Sequence, residues 1–128
     1  MTAKAIWITL TKNSAQTTEA AQDPRLRGRT YSVPFAKVWD EAVHIIESSP
    51  RWKLIEADEA RGLIRAEATT LLFRFVDDIR IRLRLDSNAL TRMDMRSASR
   101  HGRGDLGTNA RRIRRFFRDL DLRLGVEH

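Results

Sequence analysis

The stretch RSASRHGRGDLGTNARRIRRFF, Arg96 to Phe117, concentrates groups able to do chemistry: seven arginines, a histidine, two serines, an aspartate and an asparagine. Three chemistries compete for it. Ser97, Ser99, His101 and Asp105 carry the atoms of a nucleophilic triad, but a triad is defined by geometry, and crowding into one loop matches no triad order. No Gly-x-Ser-x-Gly elbow accompanies them. Gly102, Gly104 and Gly107 spell GxGxxG, yet outside a βαβ unit with an acidic residue beyond it this pattern implies no dinucleotide. The third chemistry is anion binding. Glycines allow a tight turn, a helix N-terminus offers free amides, and guanidinium groups grip phosphate or carboxylate in two-pronged fashion.

Arg96, Arg100, Arg103 and Arg112 are therefore the anion-binding candidates. Asp77, Asp78 and Asp105 compete with any external anion. If they neutralise the arginines internally, the stretch is a fold-locking junction, framed by Ser97, Ser99, Gly102, Gly107 and Asn109. Four positive charges against three negative leave room for one anion, with Arg103 between glycines as its holder. Asp78 is expected to pair with Arg96 or Arg100 in a partly buried bridge. Asn109, a mediocre helix former in a first turn, is expected to bond backbone in the loop at 99–104. No catalytic residue, metal ligand or cofactor is assigned.

The elements that must position these groups follow from periodicity. A helix begins at Pro34 and buries Phe35, Val38, Trp39, Ala42 and Ile46 before Ser48-Ser49-Pro50 stops it. Trp52–Ala57 and Gly62–Thr69 read as two strands around an Asp58–Arg61 turn. In the strand Phe75–Leu85, the apolar Ile79, Ile81, Leu83 and Leu85 alternate with the charged Asp78, Arg80, Arg82 and Arg84, so Asp77 and Asp78 point to opposite faces. The return strand, Leu90–Ala98, sets Met93 and Met95 against Arg92, Asp94 and Arg96. Matching faces across a Ser87-Asn88-Ala89 loop predicts Leu83 opposite Met93, Arg82 opposite Asp94, and Arg80 opposite Arg96. The final helix carries the stripe Leu106, Ala110, Ile113, Phe117, Leu120 and Leu124. Arg111, Arg112, Arg114, Arg115 and Arg118 cover the rest, and Asp105 is its expected N-cap.

Assembled, this is an α+β domain over residues 31–128: an antiparallel four- to five-stranded sheet with an N-terminal and a C-terminal helix packed on one face. Residues 1–30 read as an extended arm with one optional leading strand at Ala5–Leu10. Trp39, Trp52, Phe73, Phe75 and Phe117 form the core or line a gap between helix and sheet.

Composition narrows the function classes. With no cysteine there is no thiolate metal site, disulfide or cysteine nucleophile, and the three histidines lie far apart in sequence. No apolar run is long enough to span a membrane, so a cytoplasmic location is expected. The net charge of +7 is lopsided: residues 74–128 hold fourteen basic residues, all arginine, against eight acidic ones.

The run FVDDIRIRLRL followed by RSASRHGRGDLGTNARRIRRF resembles the domain-of-unknown-function family numbered fourteen ninety-nine, found in bacteria and plastids. The resemblance rests on an Asp-Asp strand and then Arg-Ser-x-Ser-Arg-x-Gly-x-x-Asp-Leu-Gly-x-Asn-x-x-Arg-Ile. These fall on Asp77, Asp78, Arg96, Ser97, Ser99, Arg100, Gly102, Asp105, Leu106, Gly107, Asn109, Arg112 and Ile113. It implies no known activity. The residues point to a non-enzymatic binding or accessory module with a protein or small anionic ligand as partner. The alternatives are a weak electrostatic nucleic-acid binder and a hydrolase.

Overall fold

A computed structural model describes residues 14–16 (backbone), 28–72, 74–100 and 106–126. Its elements are β1 (Ser14–Gln16), β2 (Arg29–Tyr31), α1 (Phe35–Ser48), β3 (Trp52–Asp58), β4 (Leu63–Thr69), β5 (Val76–Leu85), β6 (Thr91–Ser99) and α2 (Leu106–Leu124). The strands β3 to β6 form an antiparallel meander. The far edge of β6 is shared by β1, opposite residues 96–98, and β2, opposite residues 91–93. The sheet is thus five strands wide, with its last position made of two short pieces. Those pieces fall partly in the stretch read from sequence as an arm; Ala5–Leu10 lies outside the described residues.

Both helices cover one sheet face, α1 over β3 and β5, α2 over β6 and β1, and they touch each other. The face they cover carries Ile64, Ala66 and Ala68 from β4, Ile79, Ile81 and Leu83 from β5, and Met93 and Met95 from β6, all buried. The β5–β6 register is the expected one: Leu83 pairs with Met93, Arg82 with Asp94 and Arg80 with Arg96. Alternation on both strands excludes a slip by one residue, which would drive four charges into the core, and the short Ser87-Asn88-Ala89 loop selects this register among those that keep the faces matched.

The α1 helix follows an extended Pro34 (φ −55°, ψ 144°), whose carbonyl accepts bonds from Lys37 and Val38. At the other end the Ser48 hydroxyl donates to the His44 carbonyl at 2.7 Å, and Ser49 donates to that of Ile45, occupying last-turn acceptors. Gly62 closes the β3–β4 turn with φ +66°, and its missing side chain makes room for the Leu83 carbonyl, 2.0 Å from where a Cβ would stand. Edge strand β3 is bulged between Leu54 and Glu56.

On α2 the buried residues are Asn109, Ala110, Ile113, Phe116, Phe117 and Leu120. The stripe read from the sequence omitted Phe116, and it grouped Arg112 with the outward-facing arginines, whereas Arg112 reaches inward.

Candidate functional site

The junction between sheet and α2 is built on an acid at an apolar position. Asp77 has the same parity on β5 as Ile79 and Ile81, so its carboxylate points under α2 and is 2% exposed. A lone charge there would be very costly. Arg112 answers it: its Nη1 donates to Asp77 Oδ2 at 2.7 Å, and also faces the Ser97 hydroxyl and Asn109 Oδ1, each at 3.1 Å. Ser97 Oγ donates to Asn109 Oδ1 at 2.6 Å. The four side chains tie β5, β6 and α2 together, and among the described residues no buried side-chain polar atom lacks a partner.

Asp78 points to the opposite, open face, where it pairs with Arg100. Arg100 also binds Glu67 at 2.6 Å, and the bonds to Asp78 and then Glu67 hold its guanidinium above the ordinary arginine range. The expected partner is present, but the bridge is exposed, with the Asp78 side chain 50% open to solvent. The buried bridge is that of Asp77.

Of the candidate arginines that are described, Arg96 and Arg100 stand on the open face and Arg112 on the other. Arg96 is exposed on the open face directly opposite Arg80, while Arg112 lies beneath α2 on the other face. Strand alternation separates them, because Arg96 has the opposite parity to Ser97, which Arg112 contacts. Of the remaining site residues, Ser99 is buried next to Asp77, Gly107 is half-buried in the first turn of α2, and Asn109 is fully buried. Gly102, Arg103 and Asp105, and with them His101, the N-cap expectation and the loop Asn109 was to bond, lie outside the described residues. Ser97 donates its hydroxyl proton to the Asn109 amide oxygen and accepts a bond from Arg112, partners that do not act as a general base.

A second cluster clamps α2 from the sheet edge. The Tyr31 hydroxyl donates to Asp121 Oδ1 at 2.6 Å, and Arg29 Nε donates to Asp121 Oδ2 at 3.3 Å. The Arg29 guanidinium also lies 5.7 Å from the Phe117 ring centre, on its face. Burial, and then the bond to Asp121, pushes the Tyr31 hydroxyl far above the ordinary phenol range.

Alongside α2, between the helix, the end of α1 and the β4–β5 turn, runs a cleft of about 1200 Å³. Trp52 and Phe116 form part of its apolar wall, stacked at 6.1 Å with planes 12° apart, and Ile45, Ala68 and Phe75 extend it. Small Ala68 leaves room above the sheet. The described residues around the cleft include seven arginines against three aspartates, two of which, Asp77 and Asp121, are already paired. Among the described residues, Arg51, Arg115 and Arg118 have no ion-pair partner. Of the aromatics proposed to line a gap, Trp52 and Phe75 do so, Trp39 and Phe117 belong to the core, and Phe73 lies outside the described residues. Phe116 was missed. Its signal is its position three residues after Ile113, a spacing that broadens the apolar stripe towards the cleft.

Residues 8–120 match the model of a family described as protein of unknown function (DUF1499). The chain belongs to this family. Among curated proteins and among solved structures, nothing matches the chain. The DUF1499 match spans every described strand and most of α2, so it includes the buried junction and all of the cleft lining except Asp121, Leu122 and Val126.

Proposed function

We propose that this DUF1499 domain is a non-enzymatic binding module whose cleft takes an amphiphile with an anionic head. The observation that carries this reading is the pairing of an apolar wall, Trp52 stacked on Phe116, with the unpaired guanidinium groups of Arg51, Arg115 and Arg118 around the same space. Guanidinium groups make charge-assisted bonds to phosphate or carboxylate, and aromatic walls reward removal of an alkyl chain from water by about 25 cal/mol per Å². A cleft of about 1200 Å³ exceeds the ordinary small-ligand pocket and suits a long-chain ligand. Purely polar anions would leave the aromatic wall wet, and neutral lipids would leave the arginines unanswered.

The test is a titration followed by tryptophan fluorescence, using dodecyl phosphate, dodecanol and inorganic phosphate. The expected result is saturable one-to-one binding of dodecyl phosphate, much weaker binding of the other two, and roughly tenfold or greater loss in Arg115→Ala/Arg118→Ala. Equal affinity for dodecanol, or an unaffected double variant, rejects the reading.

A second reading has its own observation. On the open sheet face Arg80, Arg82, Arg84 and Arg96 have no ion-pair partner among the described residues. Arg80, Arg82 and Arg84 repeat at every second residue of β5, about 6.7 Å apart, with Arg96 opposite Arg80 on β6, which suits contact with a charged backbone. Nucleic-acid binding by this face is electrostatic and weak, falls steeply with salt, and ignores sequence. Tight, sequence-selective binding at physiological salt would contradict it.

A further inference from the structure

The turn between β4 and β5 exposes what a folded chain ordinarily hides. Leu71 and Leu72 are 69% and 76% exposed, side by side at its tip. The turn is braced rather than loose: Thr70 N donates to the Phe75 carbonyl at 2.8 Å, and Phe75 N donates to Thr70 Oγ1 at 2.9 Å. Its base is tied to the α1–β3 turn through the bond from Thr69 N to the Arg51 carbonyl. Leu122 on α2, 74% exposed, lies with Leu71 on the border of the same cleft.

Cations stand close to these leucines in the fold. Arg74 follows them in the turn, Arg51 stands at its base, and Arg115 and Arg118 line the cleft beside it; among the described residues none of the four has an ion-pair partner. Two adjacent apolar tips beside these guanidinium groups match one kind of surface, a layer of anionic headgroups with hydrocarbon just beneath it. Long arginine side chains reach up to the phosphates while the leucines enter the acyl boundary.

We infer that the β4–β5 turn docks this protein on an anionic lipid bilayer through Leu71 and Leu72, with the mouth of the cleft turned to the membrane. The inference rests on the amphiphile reading for its purpose, since a ligand could then pass from bilayer to cleft without crossing water. The contact itself stands on the turn alone.

The test is co-sedimentation with phosphatidylcholine vesicles, with and without phosphatidylglycerol, at low and physiological salt. The variant is Leu72→Ser/Arg74→Asn, which leaves out every residue lining the cleft. Both sites are exposed, and asparagine tolerates the left-handed backbone of Arg74 (φ 58°). Wild-type protein should bind the phosphatidylglycerol vesicles and not the neutral ones. The variant should bind them roughly tenfold less while titrating with dodecyl phosphate as wild type does. Vesicle binding that depends on Leu72 without any binding of dodecyl phosphate would support the docking and sink the ligand reading. Absence of vesicle binding, an unaffected variant, or binding lost only in Arg80→Glu/Arg82→Glu, which would move the contact to the open face, would overturn the docking.

Discussion

Two neighbouring aspartates of one strand have opposite energetic weight. Asp77 and Arg112 are 3% and 13% exposed, so removing one partner strands the other in a dry site, a loss of roughly 3–5 kcal/mol. Asp78 and Arg100 are 50% and 41% exposed, and water screens an exposed bridge so that it contributes little to stability. Denaturant melts of Asp77→Asn and Asp78→Asn should differ accordingly, and equal destabilisation would contradict the assignment. The strand's alternation already held this distinction. Asp77 shares the parity of Ile79 and Ile81, and an acid on an apolar face demands a buried partner. What the sequence could not supply was which arginine answers it, because that depends on where α2 crosses the sheet. The separation of Arg96 from Arg112 was illegible for the same reason: nearness in a motif says nothing about sheet face.

At the scale of elements, the central hairpin and both helices were readable because each shows a clean period, two on β5 and β6, 3.6 on α1 and α2. The three-residue strands β1 and β2 were not, since three residues cannot display alternation and only the free edge of β6 makes them strands. The tie between the helices was equally hidden. Glu41 on α1 accepts a bond from Arg123 on α2 at 2.7 Å and from Lys37 at 3.0 Å. The Arg123 bond, and then that of Lys37, holds its carboxyl below the ordinary value. A lowered carboxyl pKa stabilises the fold at pH above the unfolded value, and the contribution disappears as pH falls through the folded one. Melting temperatures of wild type and Glu41→Gln should therefore differ modestly at neutral pH and converge in acid. A gap that persists or widens in acid would show that Glu41 acts through something other than its charge.

For the molecule as a whole, the sheet has one covered face and one open face, and the excess positive charge is spread over the open face and around the cleft. Arg65, Arg80 and Arg96 stand abreast on β4, β5 and β6, and among the described residues only Arg65 has a counter-ion there, Glu56. Like charges directly opposite cost a few tenths of a kcal/mol, and salt screens them. Arg80→Thr should thus raise the melting temperature slightly at low salt, with the gain fading at high salt; a variant destabilised at every salt concentration would mean that Arg80 has a packing role instead. The cleft, by contrast, needs both helices and the β4–β5 turn to exist at all, and Trp52 and Phe116 lie far apart in sequence, which is why its shape could not be read from any one segment.

The cleft reading is tested most directly by heteronuclear NMR of the labelled protein during a dodecyl phosphate titration. Saturating shifts are expected at the Trp52 indole N–H, the Phe116 ring and the Nε–H groups of Arg115 and Arg118, with Arg80, Arg82 and Arg96 unmoved. Shifts confined to those three open-face arginines, or no saturating shift at Trp52, would contradict it.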